Sequence, residues 1–302
     1  GYKWELMPYA EIAQGHNSAI TDHKGRSFVV YHTRSTVGHE GHEVRVHQLF
    51  LNQDGWIMAA PYEFSGETIT YDDIASKASI PDSEIPGNYQ FMRHEYNQDT
   101  KNLAYETPVD IELTADGKIT GSATGTWTRT AGTDFISLTI GGVVYKGVLA
   151  RQTIDYSDIP ALCISACSSS SGSLTIGQKS FTYQQNIWCS KADYKAAIKY
   201  TLDKTTVPFS DGKTITTAQT LPTKSYFGAK TVWYSSDESV MTADGKIVGK
   251  GDVTMTMSIE KDGYAYRKDY NLKVDAGAVV TPTTANYYPD CGAKDFSNSF
   301  WS

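Results

Sequence analysis

The sequence predicts an all-β chain, and three observations carry that prediction. Tyrosine (20 residues) and threonine are abundant, and both suit the half-buried, pleated surface of a sheet. Short runs alternate apolar with polar residues, as in Val109-Asp110-Ile111-Glu112-Leu113, and helical periodicity is scarce. Glycine-bearing turns punctuate the runs: Asp22-His23-Lys24-Gly25, Gln53-Asp54-Gly55-Trp56 and Ala115-Asp116-Gly117-Lys118.

The first 60 or so residues hold four such strands, the size of one propeller blade. Phe28 to Tyr31 is a buried-strand run. In the next strand Val44, Val46 and Gln48 alternate with Arg45, His47 and Leu49, so Arg45 and His47 share a face. Six of the seven histidines (His16, His23, His32, His39, His42 and His47) fall in this region, and only His94 lies beyond it. That concentration marks a site. Tyr2, Trp4 and Met7, ahead of Pro8, read as an outermost or first strand. Asn17 and Ser18 read as turn residues, and His32 as a packed strand residue. His39 and His42 read as members of an exposed loop flanked by Gly38 and Gly41.

A polar connection follows, with one short helix over Tyr71-Asp72-Asp73-Ile74-Ala75 before Pro81 and Pro86. From Gly87 to about Lys191 the pattern is that of a β-barrel or sandwich. Ile119 to Trp127 is expected as one return strand, Phe135 to Leu149 as a hairpin around Gly141-Gly142, and Cys167 to Gly172 as a flexible Ser-rich loop. From Tyr200 to Val274 the strands resemble a bacterial immunoglobulin-like sandwich. The string Thr-Ala-Asp-Gly-Lys-Ile occurs at Thr114 and again at Thr242. Its flanks differ, so it reads as one hairpin solution reached twice. A Thr/Pro/Ala linker precedes an aromatic, Cys-containing end that reads as the start of a further, truncated module. The expected boundaries are 1–70, 71–195, 196–275 and 276–302.

At 302 residues the chain is long enough for two or three domains. Its net charge of −7 argues against nucleic acid, which needs clustered Lys and Arg. No apolar run reaches the ~18 residues of a membrane span, and no leader is visible, as in a processed or truncated product. Four cysteines (Cys163, Cys167, Cys189 and Cys291) allow three pairings. One disulfide among the first three is expected. Cys-x3-Cys without a second pair gives little support to zinc.

The strings Gly15-His16-Asn17-Ser18 to Arg34, His42-Glu43-Val44-Arg45-Val46-His47-Gln48 to Trp56, and Ala59 to Glu67 resemble the last blade of the five-bladed β-propeller of family 43 glycoside hydrolases. More narrowly they resemble arabinanases with an extra C-terminal β-barrel domain. A looser resemblance runs through the barrel to about Lys191. The family's enzymes are inverting, and their acid, base and tuning carboxylate come from earlier blades, so the resemblance implies no catalytic residue in this chain. It implies that His16 reaches the propeller axis and holds a metal, usually calcium with a water shell. An imidazole suits that place when its second nitrogen is anchored, although calcium prefers oxygen ligands. Arg34 and Arg45 are candidates to face the substrate or to pair with Glu40 and Glu43. Asp22, Glu40, Glu43 and Glu67 are the local carboxylates, and none is assigned as acid or base. Trp127, Trp188 and Trp233 are read as core more readily than as sugar platforms.

Two functions follow. The first is the C-terminal part of an arabinanase, cleaving α-1,5-linked L-arabinan or arabino-oligosaccharides together with an N-terminal propeller portion on a preceding segment or a separate polypeptide. A family 43 arabinofuranosidase or xylosidase is a variant of that reading. The second is a non-catalytic carbohydrate-binding or scaffold piece. A lone blade leaves strand edges and faces uncovered, which favours the first. The modular build and polymer substrate imply a secreted, periplasmic or cell-surface protein.

Overall fold

Alternation and two tight turns set the first sheet. The computed structural model describes residues 1–37, 41–94, 104–176 and 179–275, with the backbone alone for 170–176 and 179–183. Strands β1 (Glu11–Thr21), β2 (Ser27–Ser35), β3 (His42–Leu51) and β4 (Ile57–Ala59) form one antiparallel sheet in the order β1-β2-β3-β4. Asp22 closes the first turn by accepting the Lys24 and Arg26 amides, each at 2.9 Å. Asn52 closes the second in the same way, accepting from Asp54 at 3.0 Å and Trp56 at 2.9 Å. Strand β1 shifts register between Ile12 and Gly15 and again between Gly15 and Ser18. Ala13 and His16 take positive φ there. Asn17 and Ser18 therefore lie inside a strand and not in the expected turn. Tyr2 makes only isolated bridges, to Glu11 and Glu106, so the expected first strand is a packed lead-in, with Trp4 and Met7 buried.

The capping box of Thr70 and Asp73 starts the short helix α1 (Tyr71–Ser76), where the sequence placed it. A closed barrel follows. Its strands are β5 (Gly87–His94), β6 (Val109–Leu113), β7 (Lys118–Gly121), β8 (Gly125–Arg129), β9 (Phe135–Ile140), β10 (Val143–Thr153), β11 (Pro160–Ile176) and β12 (Lys179–Ala192). Strand β12 pairs with β5 and closes the ring. Ile111, Leu113, Ile119, Ile136, Leu138, Tyr145 and Leu149 pack its interior. Eight strands leave room for side chains and little else, so this barrel is a core and not a vessel.

Three expectations need correction here. The single return strand from Ile119 to Trp127 is two strands, because Gly121 turns the chain with φ of 97°. A Cβ there would lie 2.9 Å from the Asp110 carbonyl oxygen. The Ser-rich stretch after Cys167 is not a loop. It continues β11, with a register shift between Cys167 and Ser171 and pairing to β12 out to Ile176. The expected disulfide is absent among Cys163, Cys167 and Cys189, all of which are free and buried. Cys163 pairs across from Ser190, and Cys189 from Ile164, so strand alternation sends the two thiols to opposite faces. Cys167 packs in the core under the first sheet. Cys291 and the linker and module expected over 276–302 lie outside the described residues.

The first sheet seats on the barrel wall. Phe50, Met58 and Ala60 share a core with Val148, Ala150 and Cys167. The Trp188 indole and the Ser165 hydroxyl both donate to the Ala59 carbonyl, at 2.9 and 2.6 Å. The Tyr62 hydroxyl donates to Ser190 at 2.8 Å.

Helix α2 (Tyr194–Lys204) is an addition that the all-β reading omitted. Asp193 accepts the Ala196 amide at 2.9 Å, an N-cap contact. A separate unit contains β13 (Thr214–Ile215), β14 (Lys230–Ser235), β15 (Gly251–Lys261) and β16 (Tyr264–Val274). They form one four-stranded sheet in the order β13-β16-β15-β14, with β13 and β16 parallel. Phe209, Trp233 and Tyr270 pack together beneath it. The second sheet of an immunoglobulin-like sandwich is not among the described elements. The repeated turn is the same in both places. Lys118 and Lys246 donate their amides to the hydroxyls of Thr114 and Thr242, at 3.0 and 3.1 Å. No helix among the described residues is long and apolar enough to cross a membrane.

The thiol arrangement predicts slow chemistry. In the folded chain, alkylating reagent should leave Cys163, Cys167 and Cys189 unmodified. After unfolding without reductant all three should react, as read by peptide mass mapping. A pair that stays protected until reductant is added contradicts this arrangement.

Candidate functional site

The histidines fall into two groups on opposite faces of the first sheet. His16, His32 and His42 come from three neighbouring strands, through the pairings Gly15 with His32 and Arg34 with His42. The His16 and His32 rings meet edge to face at 6.0 Å, and those of His32 and His42 stack at 4.9 Å. Arg34 donates from Nε to His42 Nε2 at 2.9 Å. Desolvation, followed by the neighbouring His42, His16 and Arg34, lowers the pKa of His32. His32 is thus only half-buried and belongs to a surface imidazole row. His42 is exposed, as expected, but as the first residue of β3. His23 sits in the first turn, and His39 and Glu40 lie outside the described residues.

His16 is exposed, and its neighbours in the row are two imidazoles and a guanidinium. No group of three or more His, Cys, Asp or Glu among the described residues is arranged to hold a metal ion. Calcium takes six to eight oxygens. The donors that this chain supplies around His16 do not by themselves fit calcium.

The opposite face carries Arg45 and His47, as the alternation predicted, and both are buried. Arg45 is held by carboxylates. Its Nε lies 2.5 Å from Glu11 and 3.0 Å from Glu63, and its terminal nitrogen pairs with Glu43. Tyr9 also donates to Glu43. Of the two roles weighed for Arg45, pairing is the one present, and Glu11 and Glu63 are partners that the sequence reading missed. Glu11 begins β1, just beyond the local window. Glu63 lies in the strap after β4, where no periodicity marks it.

Asp155, in the turn between β10 and β11, adds a fourth carboxylate from the barrel side. It accepts the Glu63 amide at 3.0 Å. Burial, helped by the Glu63 and Glu11 charges, pushes its pKa up to about 7. Burial also raises Glu63. Glu43 moves the other way, held down by hydrogen bonds from Tyr9 and Arg45.

A polar chain leads inward from this cluster. Tyr2 donates to Glu11 at 3.1 Å, and its hydroxyl lies 3.4 Å from that of Tyr31. Tyr31 is 3.1 Å from His47 Nε2, and His47 Nδ1 is 2.8 Å from the Ala60 carbonyl. The carbonyl can only accept, so the proton sits on Nδ1 and Tyr31 donates to Nε2. Burial pushes the pKa of His47 down to about 4, and the ring is neutral at pH 7.

The comparisons bear on the family. Residues 61–177, which run from the strap after β4 through most of the barrel, match the C-terminal lipocalin-like domain of family 43. That match concerns the barrel and the strap that leads into it. Extracellular endo-α-(1→5)-L-arabinanase 2 of Bacillus subtilis (strain 168) is 40% identical over 144 residues, covering 47% of this chain and 28% of that protein. The extracellular endo-α-(1→5)-L-arabinanase of Thermotoga petrophila is 38% identical over 151 residues, covering 49% of this chain and 30% of that protein. The chain therefore spans less than a third of the length of these relatives. A crystal structure of a family 43 glycoside hydrolase from Bacillus licheniformis superposes with a TM-score of 0.50 at 31% identity, covering 63% of this chain and 37% of that one.

The charge cluster yields a pH-dependent prediction. Asp155 has a folded pKa near 7, above its ordinary value, so the folded state holds a proton that the unfolded state has released between those two pH values. Asp155 therefore opposes folding increasingly as pH rises to about 7 and by a constant amount beyond. Asp155→Asn should raise the melting temperature at pH 8 and change it little at pH 4. Arg45→Met should do the reverse, costing roughly 3–5 kcal/mol by leaving buried carboxylates unpaired, with partial recovery as the pH falls toward 5. Calorimetric melts of both variants across this range check the two slopes.

Proposed function

We propose that the chain is the C-terminal part of an inverting family 43 glycoside hydrolase that cleaves α-1,5-linked L-arabinan or arabino-oligosaccharides. The observation that carries this reading is the run of about 150 residues at 38–40% identity to two endo-arabinanases. A second observation supports it. The sheet β1–β4 has the strand number and sequential order of one propeller blade, and it leaves Ile20 and Val44 60% and 66% exposed. Apolar residues on an open sheet face call for a covering neighbour. In this reading that neighbour is the preceding blade, on an N-terminal segment of the same or another polypeptide. The extracellular names of the relatives support a secreted setting.

In an inverting hydrolysis one carboxylic acid protonates the leaving oxygen while a carboxylate draws a proton from the attacking water, with ~6.5–9.5 Å between them. This chain's best-placed carboxylates, Glu11, Glu43, Glu63 and Asp155, gather around Arg45 at the joint with the barrel. They serve packing in this reading, and the acid and base belong to the earlier blades. The part left to this chain is positional. The positive-φ kink at His16 breaks the regular ladder of β1 and turns the imidazole to one face, from which it lends one nitrogen to a metal whose other ligands are water and groups outside this chain. The barrel fixes the sheet behind it.

The test is the intact mass of every polypeptide in the native preparation, followed by assay on linear α-1,5-arabinan. The expected result is a propeller-bearing segment in company with this chain, and release of arabino-oligosaccharides. His16→Gln in that assembly should lower kcat at least about tenfold and remove a calcium-dependent rise in melting temperature. The isolated chain should show no such rise, since its own donors do not suit calcium. A native species near 33.2 kDa that lacks hydrolytic activity overturns the reading and favours a carbohydrate-binding or scaffold role.

A further inference from the structure

A cavity of about 290 Å³ lies between the first sheet and barrel strands β11 and β12. Tyr31 and His47 line it from the sheet, and His94, Ser165, Asn186 and Trp188 from the barrel, with Gly1 and Gln14 also on its wall. Its volume is at the lower limit of the ~300–1,000 Å³ usual for ligand sites. That admits one small ring and not a stretch of polymer.

The wall is preset. The Trp188 indole is tied to the Ala59 carbonyl at 2.9 Å. His94 packs edge-on to it at 4.1 Å, and His47 lies parallel to it at 6.2 Å. Within this wall His94 Nε2 is buried and has no hydrogen-bond partner among the described residues. Buried polar atoms are normally paired, so this nitrogen asks for one. Tyr31 and Ser165 already have partners: Tyr31 donates to His47, and the Ser165 hydroxyl donates to Ala59.

Charge narrows the class of occupant. No Asp, Glu, Lys or Arg is among the described residues that line the cavity. Burial lowers the pKa of both His47 and His94 to about 4, so both rings are neutral at pH 7. Such a wall offers nothing to hold a phosphate or a metal ion. A hydroxyl suits it well, because it donates and accepts and so answers either tautomer of His94. Aromatic surface beside a few polar atoms favours a ring with one apolar face.

We propose that this cavity binds one neutral, pentose-sized sugar unit, with a hydroxyl paired to His94 Nε2 and its ring against the Tyr31–Trp188 wall. The choice of L-arabinose as that unit follows from the arabinan reading, whereas the cavity itself does not depend on it.

Calorimetric titration of the whole chain with L-arabinose, D-xylose and glycerol tests the proposal. The expected result is saturable millimolar binding of L-arabinose, a weakening of about tenfold in His94→Phe, and binding within a few-fold of wild type in His94→Gln, which restores a hydrogen-bonding nitrogen. Should His94→Phe fail to fold, Asn186→Phe, which fills the same space from β12, reads the same loss. Absence of binding, binding unchanged in these blocking variants, or equal binding of glycerol overturns the proposal and leaves the cavity to ordered water. Binding of D-xylose with none of L-arabinose keeps the sugar site and counts against the arabinan reading. L-arabinose binding by a protein whose native assembly does not cut arabinan likewise separates the two.

Discussion

One guanidinium organises the seam on which this part of the chain depends. Arg45 stands among Glu11, Glu43 and Glu63, with Asp155 facing from the barrel. Four carboxylates around one cation leave the cluster short of positive charge. The structure accommodates this by moving protons, raising Asp155 and Glu63 while lowering Glu43. A buried pair of this kind is weak evidence for net stability, but removing one partner is costly. Its effect is to fix how the first sheet meets the barrel, because the carboxylates come from β1, β3, the strap after β4 and the β10–β11 turn. The polar chain from Glu11 through Tyr2 and Tyr31 to His47 carries the same constraint inward.

Much of this was legible in the sequence, for local reasons. The hairpins at Asp22 and Asn52, the helix at Tyr71 and the repeated Thr-Ala-Asp-Gly-Lys-Ile turn all form from contacts within a few residues. Their signals are therefore written in adjacent positions. The common face of Arg45 and His47 follows from strand alternation alone. The resemblance to family 43 was legible too, because the strings around His16 and His42 are unusual enough to suggest it.

What the sequence concealed depends on distance or on competition. Gly121 breaks a run that alternation read as continuous, since its positive φ is a demand of the fold and not of the neighbouring residues. The serines after Cys167 read as a loop by composition, yet β12 pairs with them and tertiary pairing overrides that tendency. The disulfide expectation counted proximity in sequence and overlooked the face to which each thiol points. Helix α2 did leave a local mark, the Asp193 cap and the Lys199–Asp203 pair, which the weight of β signals masked. Glu11, Glu63 and Asp155 are up to 144 positions apart by their numbers, and no local pattern joins them.

The closed ring of eight strands has a consequence for how such proteins are inherited. A barrel whose last strand bonds its first leaves no strand edge open, and the first sheet covers only part of its outer wall. The sheet ahead of it ends in an unjoined strand, β1, and leaves Ile20 and Val44 exposed. Recombination that separates the two should spare the barrel and strand the sheet.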